Sequence, residues 1–385
     1  MQKLILSTLL ILSTFATLRA DDPASAESSS DPLAAILQPH LKPTVAVLLD
    51  HYRTKRKYVN SDFPMPRQKF EEFKAEMRSE LARSLGIADW VVRSPNGKAS
   101  PLANHFEDRT IKTISLHGVT VELHAVTLRP TGLVVPMAIC LPAGDDSAAG
   151  ICVFSGHTSR GLHDLVVNTD SYQQGVAIRL AQAGLASIAV EKIDTGYLSR
   201  NGAAGNDENA AATLMLSWGS VLRSHQMRAC LAATEILAGH NRTDATRIGA
   251  TGVSLGGWLA VQTAMLNDRI TAVADLGRKT RSVPADLQPQ QYDGQRDLCH
   301  IIPGMLSLSD RNLMPVALAP LPMLAGHGRK DAGSHQEHAA NFRTICEAQY
   351  QALCASASYS YVIHDGGDTM PSQDVIAWFQ ERFSK

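Results

Sequence analysis

The sequence predicts an α/β fold in which helices cover both faces of a mostly parallel central sheet. From residue 150 onward, short apolar runs alternate with longer stretches of helical periodicity, and this order favours parallel strands joined by right-handed crossovers. The run Gly150–Phe154 is apolar throughout, as expected of a strand buried on both faces. At the C-terminus, Val375, Trp378, Phe379 and Phe383 recur at helical spacing and predict a final helix.

The remaining elements follow from the same periodicity. Strands are predicted over residues 150–154, 185–190, 247–251, 270–275, 321–325 and 359–363, and further helices over residues 171–183, 210–238 and from 255 onward. Upstream, residues 110–141 carry β-branched runs broken by His117-Gly118 and Pro130-Thr131-Gly132, which is typical of strands joined by turns. Residues 276–320 are longer than an ordinary crossover and are predicted to form a lid or rim.

Residues 34–105 are predicted to form an N-terminal helical extension to an α/β domain that spans residues 106–385. Its clearest helical stretch is residues 67–85, where Phe70, Phe73, Met77 and Leu81 form an apolar stripe on one side. Such a stripe indicates that the extension packs against another part of the chain.

The first 20 residues have the pattern of a signal peptide. Lys3 precedes an apolar stretch over residues 4–18, which is shorter than the ~20 residues that a membrane span needs. Ala20 stands at a suitable cleavage point, and residues 21–33, rich in Ser, Asp and Ala, are predicted to be a flexible leader. We therefore predict a secreted or periplasmic chain without a membrane span after cleavage; an uncleaved N-terminal anchor is the alternative.

The composition excludes several classes of function. Lys and Arg number 36 against 37 Asp and Glu, so no net charge attracts the chain to nucleic acid. The six cysteines include no Cys-x-x-Cys pair, and the sequence has no dinucleotide-binding or phosphate-binding glycine motif. His335-x-x-His338 is more typical of a solvated helix face than of a metal site. We predict neither a cofactor nor a metal, and no pattern predicts the oligomeric state.

The segment Gly252-Val253-Ser254-Leu255-Gly256 is a Gly-x-Ser-x-Gly motif. As a bare string it occurs by chance in roughly one chain in ten of this length, but here a predicted strand precedes it and a predicted helix follows at once. That setting allows Ser254 to project from a sharp turn as a nucleophile. It also directs the Leu255 N–H towards a developing oxyanion. An idle serine in a glycine-rich turn is the alternative.

Two further loops follow predicted strands and contain candidate site residues. Asp331 comes shortly after the strand at 321–325 and is predicted to orient a histidine. After the strand at 150–154, the backbone N–H of His157 or Thr158 is predicted to complete the oxyanion hole. A solvated aspartate and an ordinary turn are the respective alternatives.

From about residue 110 onward, the chain resembles the α/β-hydrolase superfamily, most closely its secreted bacterial branch of acetyl-xylan-esterase-like and dienelactone-hydrolase-like proteins. The resemblance implies an α/β-hydrolase fold and a Ser–acid–His triad in that chain order. In addition, the helical segment before residue 100 is similar to the N-terminal extension found in that branch. The motifs that carry it are Gly252–Gly257, Asp244–Gly249, Leu298–Gly304, Ala319–Pro322 leading to Gly328 and Asp331, and Gly366-Gly367.

The chain departs from that family at the position of the triad histidine. The resemblance implies a histidine after Gly366-Gly367, and the chain has Asp368 there. An aspartate is a weak base at neutral pH, because its ordinary pKa is about 3.9 against about 6.5 for histidine. His364 is the first candidate for the base, His327 and His157 are weaker ones, and a site without any histidine base is the remaining alternative.

These observations lead to three hypotheses. The first is a secreted serine hydrolase, an esterase for small-molecule or carbohydrate carboxylic esters, which forms an acyl-enzyme on Ser254 with Asp331 and His364 as its partners. The second is an α/β-hydrolase-fold binding protein that lacks the triad histidine. The third and weakest is a serine peptidase, because similar turns occur in such enzymes.

Overall fold

The computed structural model describes residues 55–95, 97–200, 205–277, 298–331 and 336–384. These residues belong to one compact unit. The predicted signal peptide and leader, residues 34–54 of the predicted extension, and residues 278–297 of the predicted rim lie outside the described residues.

A nine-stranded sheet with the order β1-β2-β3-β5-β4-β6-β7-β8-β9 forms the centre of this unit. The pairings β1–β2, β2–β3 and β3–β5 are antiparallel, and the five remaining pairings are parallel. The predicted α/β-hydrolase fold with a mostly parallel sheet is therefore confirmed. The strands are β1 (Phe106–Leu116), β2 (Val119–Leu128), β3 (Leu133–Leu141), β4 (Ala148–Phe154), β5 (Ala186–Val190), β6 (Thr243–Val253), β7 (Ile270–Leu276), β8 (Met323–Gly328) and β9 (Tyr359–His364).

Nine α-helices accompany the sheet in the described part of the chain. They are α1 (Arg67–Leu85), α2 (Leu162–Val166), α3 (Val176–Gln182), α4 (Glu208–Ser217), α5 (Leu222–Gly239), α6 (Leu255–Leu266), α7 (Met305–Leu308), α8 (Gln336–Ala352) and α9 (Ser372–Phe383). Short 3₁₀ helices cover Asn60–Asp62, Ala88–Trp90, Gly196–Leu198, Leu298–His300, Arg311–Leu313, Val316–Leu318 and Ser356–Ser358. None of the helices within the described ranges combines the length and the apolar character needed to cross a bilayer.

Two apolar layers lie on opposite faces of the sheet, because side chains alternate along each strand. In β4, Cys152 and Phe154 join the layer that includes α1, α5, α6 and α8. Ile151 and Val153 join the layer that includes α2, α3 and α9. The inner parallel strands β4 and β5 are consequently buried on both faces, which confirms the interpretation of their continuous apolar runs. The edge strand β9 is only half-buried.

The described part of the N-terminal segment packs onto the first of these layers. Phe70, Phe73, Met77 and Leu81 on α1 are each at most 1% exposed, so the predicted apolar stripe is buried against the core. A second link is made by Arg269, which pairs with Glu235 at 2.9 Å and donates to the carbonyl oxygens of Gly97 and Ala99.

Two predictions about elements need correction or refinement. The helix predicted over residues 210–238 is two helices, α4 and α5, because Gly219 takes a left-handed conformation with φ 73° between them. The described half of the predicted rim consists of short helices in which Leu313, Val316 and Leu318 are buried in the core. This half is therefore anchored in the apolar layer that covers one face of the sheet.

Candidate active site

Ser254 occupies a sharp turn between β6, which ends at Val253, and α6, which begins at Leu255. Its φ and ψ are 60° and −124°, a strained conformation for a residue with a side chain. A Cβ atom on Gly252 would overlap the backbone of Gly256, and one on Gly256 would overlap the carbonyl oxygen of Phe154. The glycines of the motif thus allow the close backbone approach that this turn requires.

The turn lies at the edge where the parallel strands end, and the loop after β4 lies against it. A Cβ atom on Gly156 would be 3.2 Å from Ser254 Cβ and 2.5 Å from Tyr172 Oη. The Tyr172 hydroxyl donates to the His157 carbonyl at 2.7 Å and fixes this loop. Leu255 is the first residue of α6, so its N–H has no acceptor within the helix. The predicted oxyanion donors, the Leu255 N–H and the loop at His157, therefore both lie near Ser254.

Asp368 reaches the same turn from the loop between β9 and α9. A Cβ atom on Gly277 would overlap Asp368 Oδ1 and would lie 3.2 Å from the Ser254 backbone nitrogen. The loop is held near Tyr172, whose carbonyl accepts the Met370 N–H at 2.8 Å. Burial raises the pKa of the Tyr172 phenol well above its ordinary value, and the charge of Asp368 adds to that effect. The structure thus brings a carboxylate next to Ser254.

Asp331 and His364 lie close to each other at the ends of β8 and β9. The loop carrying Asp331 packs on Gly366, whose carbonyl accepts the Lys330 N–H at 2.9 Å, and Asp331 is only 9% exposed. Burial lowers the pKa of His364, although the charges of Asp374, Asp331 and Asp365 act in the opposite direction. The His364 imidazole is therefore neutral at pH 7.

A hydrogen bond determines where the proton of the neutral His364 ring sits. The Gly366 N–H donates to His364 Nδ1 at 3.2 Å, which leaves the proton on Nε2. Between His364 and Ser254, both described residues, the structure has no hydrogen bond. To act as a base on Ser254, His364 has to exchange the bond to Gly366 for one from Nδ1–H to a carboxylate.

The two weaker candidates for the base have other partners. His327 Nδ1 lies 2.8 Å from Tyr361 Oη, and the register pairs His327 with Ile363 and Gly328 with His364. His327 and His364 consequently project from opposite faces of the sheet. His157 Nε2 lies 3.2 Å from Cys299 Sγ.

The surroundings of His157 were not predicted from the sequence. Its Nε2 is 3.7 Å from Glu208 Oε2, and its ring centroid is 5.2 Å from that of His300. Glu208 is buried and accepts from Lys192 Nζ at 2.6 Å. These side chains come from four separate segments, and no spacing within one segment could have indicated that they meet.

The fold and the turn at Ser254 define the chain as an α/β-hydrolase-fold protein. Residues 161–290 match the dienelactone hydrolase family. This match and the fold are consistent with the predicted resemblance to acetyl-xylan-esterase-like and dienelactone-hydrolase-like proteins. No curated protein sequence matches the chain significantly.

Solved structures of three named esterases share the fold. A candidate acetyl xylan esterase from Bacteroides fragilis NCTC 9343 is 12% identical with a TM-score of 0.69, over 89% of this chain and 96% of its own. Methylesterase BT1017 is 19% identical with a TM-score of 0.63, over 84% of this chain and 66% of its own. A glucuronoyl esterase from Solibacter usitatus is 12% identical with a TM-score of 0.54, over 80% of this chain and 92% of its own.

Proposed function

We propose that this chain is a carboxylic-ester hydrolase that acts through Ser254 and an acyl-enzyme. The observation that carries the proposal is the strained turn at Ser254, with φ 60°, between a buried strand and the first turn of a helix. Such strain is retained where the surrounding structure enforces it, and it is characteristic of nucleophiles held at the edge of an α/β sheet.

In the proposed reaction, Ser254 Oγ attacks the ester carbonyl and the developing oxyanion is bound by the backbone N–H groups of Leu255 and His157. Backbone donors that are fixed before the reaction stabilise this charge by about 3–4 kcal/mol each. The alcohol then leaves, and water releases the acid from Ser254. His364 and Asp331 are the proposed proton-transfer pair, since the ring is neutral at pH 7 and the carboxylate is near it.

The proposed substrates are small-molecule or carbohydrate esters. All three structures described above are named as esterases, and two of those names, acetyl xylan esterase and glucuronoyl esterase, refer to carbohydrate-derived esters. The signal peptide predicted over residues 1–20 supports action outside the cytoplasm.

A second candidate function is binding without efficient catalysis. The observation that favours it is Asp368, which places a carboxylate beside Ser254 where the family resemblance implies an imidazole. A fold that keeps its oxyanion donors but loses a triad member retains rate accelerations of only about 10³–10⁴ over water.

Labelling with a fluorophosphonate probe tests the proposal. We expect the full chain to be labelled on Ser254, as identified by peptide mass spectrometry, and Ser254→Ala to lose both labelling and hydrolysis of acetyl esters. Ser115→Ala, at an exposed position on β1, serves as the control and should be labelled like the wild type. If the folded wild-type protein is not labelled, the hydrolase proposal fails and the binding function is supported.

A further inference from the structure

A compact group of soft metal ligands lies beside the loop after β4. Donor atoms of His157, Cys299 and His300 all lie within 4.8 Å of one another. We call these three residues the His–Cys cluster. His157 is in the loop that flanks Ser254, and the other two form the end of a 3₁₀ helix (Leu298–His300). The cluster shares no residue with the proposed triad of Ser254, Asp331 and His364.

The spacing of the cluster suits a small tetrahedral ion. Zn²⁺ binds imidazole nitrogen at about 2.0–2.1 Å and thiolate sulfur at about 2.3 Å, so adjacent N and S ligands lie about 3.5 Å apart. His157 Nε2 and Cys299 Sγ are 3.2 Å apart, within a few tenths of an ångström of that value. The donor atom of His300 lies within 4.8 Å of the other two and has to approach them to enter the same shell.

A carboxylate and solvent access complete the site. Glu208 Oε2 is 3.7 Å from His157 Nε2 and takes the fourth position only if it gives up the bond from Lys192 Nζ. A water molecule fills that position otherwise. A cavity of about 280 Å³ is lined by His157, Glu208 and Cys299, among other residues, and gives an ion a route from solvent.

Three charged side chains lie around the cluster. Burial raises the pKa of Glu208, but the charges of Lys192 and His157 outweigh this and leave the pKa below its ordinary value. Lys192 is bonded to the Glu208 carboxylate at 2.6 Å and neutralises it. Arg223 donates to the Cys299 carbonyl at 3.0 Å. Two cations therefore oppose an incoming cation, and the thiolate that forms on binding offsets part of that charge.

We propose that His157, Cys299 and His300 form a Zn²⁺ site. On binding, the Cys299 S–H bond breaks, a Zn–S bond forms and the proton passes to solvent, so affinity falls as the pH is lowered. Two imidazoles with one thiolate suit zinc better than magnesium or calcium, which prefer oxygen ligands. A bound ion joins the loop at His157 to residues 298–300, and thereby fixes the loop that we assign to the oxyanion hole. The site does not depend on the proposed esterase function.

Binding of Zn²⁺ and Co²⁺ to the reduced full chain tests the proposal. After dialysis against a chelator, we expect one equivalent of Zn²⁺ to bind in calorimetry. Co²⁺ should give a thiolate-to-metal charge-transfer band together with the visible bands of tetrahedral coordination. Cys299→Ser should abolish the charge-transfer band, and His300→Ala should weaken Zn²⁺ binding by more than about 100-fold, since even loss of an outer-shell partner costs 10–100-fold.

The control is Cys354→Ser, which removes an exposed thiol outside the cluster and should leave the metal spectrum unchanged. Circular dichroism of each variant establishes that it is folded before metal is added. Absence of Zn²⁺ binding by the folded wild type, or a charge-transfer band that survives in Cys299→Ser, would overturn the proposal. Because all readouts concern the metal, failure here leaves the test of Ser254 unaffected.

Discussion

Asp368 is the residue at which the site differs most from the triad implied by the family resemblance. Its carboxylate lies by the Ser254 turn, whereas His364 lies at the end of β9 with Nδ1 bonded to the Gly366 N–H. A negative charge beside the nucleophile opposes the formation of an oxyanion. The rate of ester hydrolysis therefore depends on whether His364 can turn its Nε2 towards Ser254.

Under the proposed mechanism, His364→Ala lowers kcat for ester hydrolysis by about 10²–10⁴-fold, the usual contribution of a general base, and Asp368→His gives no gain.

Because the pKa of His364 is below its ordinary value, the wild-type rate should rise with pH and reach its plateau below the pH expected for an unperturbed histidine. Initial rates from pH 4.5 to 8.5 measure both effects.

The control for these variants is Glu381→Ala, at an exposed position on α9, which should not affect the rate. The opposite pattern, a large gain in Asp368→His with no loss in His364→Ala, would show that the wild-type site lacks a base and would support the binding function.

The glycines of the motif can be tested by adding a single methyl group. Gly256→Ala should reduce the free energy of unfolding by about 1–3 kcal/mol and abolish labelling of Ser254, because the new Cβ overlaps Phe154 O and the backbone of β4 cannot move away. Gly239→Ala is the matched control, since its Cβ meets only Lys98 O at 3.6 Å. Urea unfolding measures both variants; equal stability of the two would contradict the packing argument.

At the scale of elements, a buried carboxylate fixes the loop that follows β5. Glu191 Oε2 accepts the N–H groups of Leu162 at 3.1 Å and Tyr197 at 3.4 Å, and Oε1 accepts from the Thr195 hydroxyl at 3.3 Å. A Cβ atom on Gly161 would overlap Glu191 Oε1. The loops after β4 and β5 are thus joined through one side chain.

This arrangement predicts a pH-dependent contribution to stability. Burial raises the pKa of Glu191 from 4.5 to about 7, so between these values the folded state binds more protons than the unfolded state. The contribution is complete below about pH 4.5 and is lost as the pH rises through 7. It amounts to about 3 kcal/mol.

Glu191→Gln should remove this dependence and make the protein more stable than the wild type at pH 8, with little difference near pH 4.5. The amide oxygen can accept from Leu162 and Tyr197, and the amide nitrogen can donate to the Thr195 hydroxyl, which itself donates to the Lys192 carbonyl. Urea unfolding at several pH values measures the difference, with the exposed Glu381→Gln as control. A difference that does not change with pH would contradict the assignment.

The elements show which parts of the structure sequence patterns can specify. The buried strands were predicted to within a few residues, since apolar runs such as Gly150–Phe154 have no other stable location. The break at Gly219 was missed, because one glycine in an apolar stretch is tolerated within many helices. The turn at Ser254 was predicted because its strand, glycines and helix are contiguous. The meeting of His157 with Cys299 depends on how strands and loops assemble and has no local signature.

At the scale of the whole molecule, the described N-terminal segment and the sheet share one apolar layer. Phe73 packs edge-on against Tyr58 and Phe63, with ring centroids 4.9 and 5.2 Å away, and belongs to the same buried layer as α5 and α6. The Arg269–Glu235 pair, buried on both sides, reaches the carbonyls of Gly97 and Ala99. We therefore expect this segment and the sheet to unfold together.

Phe73→Ala tests this cooperativity. Removing a fully buried aromatic ring should reduce the free energy of unfolding of the whole protein by about 3–5 kcal/mol, with one urea transition that coincides for circular dichroism and tryptophan fluorescence. Trp90 reports on the N-terminal segment, and Trp258 and Trp378 report on helices that cover the sheet. Leu214→Ala, at a side chain 56% exposed on α4, should change stability by less than about 0.5 kcal/mol. Should Phe73→Ala instead produce a separate early transition and leave the main one in place, the segment would be an independent unit. The sheet would then be stable without the N-terminal segment. If the two shared one core, loss of the Phe73 ring would lower the midpoint of the main urea transition as well.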